Sequence, residues 1–119
     1  MKIIYNDKLL DILGIFFPFK VGGVAIYPCI MLREDYKTKY RHKAFIIINH
    51  ESIHIKQQKE LLVVFFALWY GIEYLAKIVQ YRDLNEAYKN ISFEKEAYAN
   101  ENDLTYLSTR KIFSFLLYL

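Results

Sequence analysis

At 119 residues the chain is long enough to bury one hydrophobic core and too short for two, so residues 1–119 are expected to form a single domain. Sixteen Lys+Arg against thirteen Asp+Glu leave a net charge of +3, spread along the chain without a basic arm, which argues against nucleic acid as a partner. The lone cysteine, Cys29, excludes an internal disulfide and a Cys-rich metal site, and reads as a small packing residue.

The hydrophobic share of 55% and aromatic share of 18% exceed what a soluble domain usually carries, so some apolar surface is expected to meet a partner or a membrane. Residues 1–5 lack the order of a secretory leader, and the apolar stretch 9–19 is interrupted by Asp11, Gly14 and Pro18. The most apolar uncharged stretch, 61–72, is closed by Glu60 and Glu73, short of the roughly 20 residues that cross a bilayer. A buried or membrane-surface helix fits it better. A span over 61–79 is disfavoured because Glu73 and Lys77 fall inside it. With no leader and no disulfide, the expected location is the cytoplasm, with peripheral membrane contact as a further expectation.

Residues 2–5 are β-prone and open with a short strand, and Asn6-Asp7 reads as a turn or helix cap ahead of Leu9, Leu10, Ile12 and Leu13. Gly22-Gly23 punctuates the chain. The segment 24–32 is strand-like except for Pro28, which removes a backbone donor, so an edge strand is predicted there. The polar stretch 33–43 reads as loop and turn. Three helices follow: 43–59, then 60–81, apolar on nearly every side with Gly71 as a place to bend, then 92–107 with Ser92 as its N-cap. The apolar tail 112–119 is expected to pack back onto the core or touch a membrane surface. The fold class is α+β, mostly helical, with a small N-terminal β element.

His50-Glu51-Ser52-Ile53-His54 matches H-E-x-x-H. Residues four apart on an α-helix project from one face, so both imidazoles can reach one metal ion. Glu51 lies one step around from His50, near enough to hold a water beside the metal without taking its open position, and is the natural general base. The plain alternative is two surface histidines on an ordinary helix. A catalytic zinc site needs a third protein ligand, and the candidates are the carboxylates of the third helix.

There the sequence Glu96-Ala97-Tyr98-Ala99-Asn100 resembles the third-ligand helix of gluzincin metalloproteases. The thermolysin-like enzymes carry Glu-Ala-x-x-Asp at that place, and the CAAX-protease-like and ImmA/IrrE-like groups carry Glu-x-x-Ala-Asp or Glu-x-x-Ala-Asn. The fifth place here is Asn. The wider His50-Glu51-x-x-His54-x-x-Gln57-Gln58 also resembles stretches of uncharacterised bacterial gluzincin-like families, and the similarity spans about residues 49–110 with two specific clusters. This resemblance implies a minimal zincin-like domain, its H-E-x-x-H helix packed on a Glu-bearing helix, with Zn2+ as cofactor. It implies His50, His54 and Glu96 as metal ligands, and Asn100 as a hydrogen-bond partner of a ligand histidine. Glu94 is the alternative metal ligand, because Glu94-x-x-Ala97 meets the shorter form of the pattern with Tyr98 in the last place.

On this reading a metal-bound water loses its proton to Glu51 and attacks a peptide carbonyl, so the chain is expected to be a zinc metallopeptidase, a hydrolase of peptide or protein substrates. A free strand edge beside the motif helix would let an extended substrate pair with it. Tyr81, Tyr88 and Tyr98 are candidate donors to a developing oxyanion. Gln57 and Gln58 either polarise the site or are simply solvated. His42, eight residues before His50 and about 12 Å along the axis, reads as a surface histidine. The competing reading is a non-catalytic module that binds metal, membrane or a protein partner on a zincin-like core; the small chain favours it, since little remains to wall a cleft.

Overall fold

Three short strands and the helix between them build the N-terminal part of the protein, whose computed structural model describes residues 2–119. Strand β1 (Lys2–Tyr5) leads into α1 (Asp7–Leu13), started by Asn6, whose side chain accepts the Leu9 N–H at 3.0 Å. Strands β2 (Gly23–Ile26) and β3 (Cys29–Leu32) follow. β3 is central: β1 pairs with it in parallel from Lys2 opposite Cys29, and β2 pairs antiparallel from Gly23 opposite Leu32. The single edge strand expected at 24–32 is therefore a hairpin, turned at Tyr27 and the cis-linked Pro28, with β2 at the edge. A residue without an N–H fits the turn between paired strands better than a ladder position.

Alternation along β3 serves two sides of the sheet. Ile30 and Leu32 pack with Ile47, Ile48 and Ile55, while Met31 packs with Leu10 and Val21. Buried Arg33 ties this end together: its guanidinium donates to the Val21 carbonyl at 2.6 Å and to Asp11 at 2.7 Å.

The rest is helical, as expected for an α+β chain with more helix than strand: α2 (Ala44–Leu61), α3 (Val63–Tyr81), α4 (Leu84–Lys89), α5 (Ser92–Asn100) and α6 (Tyr106–Thr109). α2 gives way to α3 at Leu62, whose φ of 65° and ψ of 150° lie in a region that non-glycine residues rarely occupy. Ser92 is not the N-cap of α5 but its first helical residue, and the cap comes from the neighbouring helix. The Glu73 carboxylate accepts the Ser92 N–H at 2.7 Å and the Ser92 hydroxyl at 2.8 Å, and its charge suits the positive end of the helix. That contact gives a charge inside the apolar α3 a structural place. α5 also stops at Asn100, short of the expected 107. There Asn49 on α2 donates to the carbonyls of Glu101 and Asp103 at 2.8 and 3.0 Å, with Asn100 at 3.3 Å.

Phe66 and Tyr74 of α3, Ala87 of α4, Ile91, Phe93 of α5 and Phe115 of the tail form the largest core cluster. The tail thus packs back through Phe115, while Leu116, Leu117 and Leu119 remain exposed. α3 runs unbroken through Gly71, and nothing lies within 4 Å of where a Cβ would stand. Gly71→Ala is therefore expected to stabilise the chain by about 0.5–1 kcal/mol, through helix propensity and a less free unfolded state. Urea denaturation measures it; a destabilised variant would show that the open space there is needed.

Candidate metal centre

α2 carries an unusual load. From Asn49 to Gln58 every residue but Lys56 is buried, including Asn49, His50, Glu51, Ser52, His54, Gln57 and Gln58. Burying so many polar side chains is costly unless they find partners, and the partners define the site.

His50 Nε2 and His54 Nε2 lie 3.2 Å apart, and Glu94 Oε1 of α5 lies 3.1 Å from each. Zinc bonds of about 2.0–2.1 Å in tetrahedral geometry separate neighbouring ligand atoms by roughly 3.3 Å. The three atoms therefore have the spacing of one face of a zinc tetrahedron. Oε1 is the oxygen turned to both rings, while Oε2 accepts the Tyr70 hydroxyl at 2.7 Å.

The hydrogen bonds behind the ligand atoms fix what those atoms present. Gln57 Nε2 faces two groups that can only accept, the Phe93 carbonyl at 3.2 Å and Glu96 Oε1 at 2.9 Å. Its carbonyl oxygen must then accept from His54 Nδ1–H, at 2.7 Å. This places the hydrogen of a neutral His54 on Nδ1 and leaves the Nε2 lone pair directed at Glu94 and His50. Glu101 Oε2 does the same for His50, accepting from Nδ1 at 2.8 Å.

Three lone pairs converge there, an arrangement that a cation or added protons would complete. Burial alone would depress His50, but hydrogen bonds to Glu101 and Glu94 outweigh it and lift its pKa to about 10. His54 is raised as well, its burial overcome by the charge and hydrogen bond of Glu94. Burial would push Glu94 up, yet the charge of His54 and its hydrogen bonds to both rings hold it well below the usual carboxylate range.

The structure brings together His50, His54 and Glu94, the only group of three His, Cys, Asp or Glu side chains among the described residues spaced to hold an ion. It does not bring Glu96 there. At about 100° per residue the two glutamates lie roughly 200° apart around α5, so a helix that turns Glu94 to the histidines turns Glu96 elsewhere. Glu96 is fully buried against Arg110, with the Tyr106 hydroxyl donating at 2.7 Å. Asn100, expected beside a ligand histidine, instead donates to the Glu96 carbonyl at 2.8 Å and to the Tyr118 hydroxyl at 3.1 Å. The partners of the histidines are Gln57 and Glu101. Glu101 and Tyr70 were not legible from the motif alone, although Glu94, Tyr98 and Glu101 recur at i, i+4 and i+7 and so share one face. Tyr98 packs edge-on to the His50 ring with centroids 4.5 Å apart.

Glu51 opens onto two cavities. One, of about 320 Å³, is walled mostly by apolar side chains such as Leu13, Phe17, Val24 and Ala67, with Glu51, His54 and Glu94 among its polar lining. The other, of about 420 Å³, is lined by Gly22, Gly23, His50, Glu51, Tyr98 and Glu101, among others. Burial raises the Glu51 pKa, opposed by the charges of His54 and His50. Of the tyrosines, Tyr88 and Tyr98 line the second cavity and their hydroxyls meet at 2.9 Å, whereas Tyr81 is exposed and lines neither. His42 is exposed, as expected. No family model, no curated protein and no solved structure matches this chain.

Proposed function

We propose that the protein is a zinc-dependent metallopeptidase on a minimal zincin-like domain of gluzincin type, with His50, His54 and Glu94 holding the ion and Glu51 as general base. The observation that carries this reading is the triangle of three lone-pair atoms 3.1–3.2 Å apart at the wall of a cavity that Glu51 also lines. A divalent ion held there supplies Lewis acidity, which polarises a carbonyl and acidifies a water. The rest is the work of the chain. Glu51 takes a proton from the attacking water onto its carboxylate and returns it to the departing amide nitrogen as the peptide bond breaks. Burial shifts the pKa of this carboxylate upward, the direction that suits a group which first takes a proton and then returns it.

The edge of β2 offers an extended peptide a seat. Gln58 binds the outer edge of β2 at both ends of its amide, donating to the Ala25 carbonyl and accepting the Tyr27 N–H, each at 2.7 Å. Alternate residues of a strand present their backbone groups to the same edge, so Gly23 faces the same way as Ala25. Gly23 lines both cavities beside Glu51, which supports peptide pairing at that end of the edge.

A purely structural metal usually engages four protein side chains, and only three converge among the described residues. That favours the catalytic reading over a metal-stapled binding module. The test is cleavage of unfolded casein by the zinc-loaded chain and by Glu51→Gln. The variant is expected to keep its zinc and lose about 10²–10⁴-fold in rate. Zinc bound without Glu51-dependent cleavage would overturn the peptidase and leave the non-catalytic module.

A further inference from the structure

We propose that the exposed face of α3, with the C-terminal turn beside it, docks on a lipid bilayer bearing anionic headgroups. Val64, Leu68, Ile72, Leu75 and Val79 recur at three- and four-residue steps and form one stripe, exposed by 56–77%. Only 6% of the most apolar window of this helix is buried, the reverse of a core helix. The stripe runs about 22 Å without a polar side chain. Beside it, Trp69 of α3 meets Phe115 of the tail edge-on at 5.2 Å, and Leu117 of the same tail is 86% exposed.

The charges around this face indicate what covers it. Inside α3, Glu73 is turned inward to cap α5. Flanking α3 in sequence stand Lys59 and Arg82, and Lys111 precedes the tail; none of the three makes an ion pair among the described residues. Of the acids next to them in sequence, Glu60 is paired with Arg110, and Asp83 accepts the Asn85 N–H as the N-cap of α4. An apolar ridge flanked by unpaired cations complements an anionic membrane surface. A second copy fits worse, because pairing along α3 in either direction sets one cationic end against another. A ridge without polar groups also gives a protein partner nothing to fix its register. Glu73 and Lys77, within the same helix, favour a half-immersed face over a span. The face uses none of the metal-binding side chains, so it stands or falls separately from the peptidase reading.

Flotation of the full-length chain with phosphatidylcholine vesicles containing about 30% phosphatidylglycerol tests it. Most of the wild type is expected to rise with the vesicles, and Leu68→Glu/Ile72→Glu to rise at least tenfold less. Both positions are exposed, so the variant should keep its circular dichroism and its zinc content. A wild type that stays at the bottom of the gradient, or a variant that floats equally well, would overturn the proposal. So would a lipid-free dimer that the variant converts to monomer, which would assign the face to a second copy.

Discussion

Glu94→Gln is expected to lower zinc affinity by more than the about 10–100-fold that loss of a hydrogen-bond partner of a ligand costs, because it removes a ligand itself. Glutamine keeps the shape and a partner for Tyr70, but it takes the negative charge out of a buried triangle of lone pairs. Glu96→Gln is expected to retain one zinc per chain, since its carboxylate serves Arg110, Tyr106 and Gln57. Competition with a chromophoric chelator on both variants separates the two glutamates. The opposite pattern, zinc lost with Glu96 and kept without Glu94, would contradict the site.

Arg110→Met is expected to cost about 3–5 kcal/mol of folding stability, the range found when one partner of a buried ion pair is removed. The Arg110 side chain is 2% exposed and lies between Glu96, at 0%, and Glu60, at 11%. Without it, the buried Glu96 carboxylate and the partly buried Glu60 carboxylate lose their compensating charge. Burial raises the pKa of Glu96, and the hydrogen bonds of Arg110, Tyr106 and Gln57 overcome that and lower it. Because the folded pKa is depressed, this contribution is complete above the unfolded carboxylate value of about 4.3 and is lost as the pH falls toward the folded one. Urea denaturation across that range measures it, and a loss under about 1 kcal/mol would place the pair among weak surface bridges. Glu96→Met added to Arg110→Met is expected to cost less than the sum of the single changes, since the pair shares one contact. The network also reaches the metal centre, because Glu96 orients Gln57 and Gln57 sets the His54 tautomer. Glu96 would thus act on a bound ion through another residue rather than by touching it.

What the sequence made legible follows from rules that act locally. The i, i+4 spacing placed His50 and His54 on one face, Asn6 marked a helix start, and one of the third-helix carboxylates, Glu94, does face the two rings. The choice between Glu94 and Glu96 was not local. The alanines and Asn100 around Glu96 resemble a family pattern, but which glutamate faces α2 depends on the rotation of α5. That rotation is set by tertiary contacts, the Glu73 cap at Ser92 and the Asn49 bonds at its other end. The hairpin at 24–32 was missed for a related reason: one proline fits an edge strand and a turn equally well until the pairing partner is known. The apolar character of α3 was plain in composition, yet which side it exposes emerged only once Phe66 and Tyr74 were seen to join the core.

Zinc K-edge absorption on the purified chain, read with its metal content, probes the convergence of α2 and α5 most directly. One zinc per chain is predicted, with two imidazoles and one carboxylate oxygen at about 2.0–2.1 Å and an exchangeable fourth position. A chain that retains no zinc, or one whose spectrum is unchanged by Glu94→Gln, would contradict it.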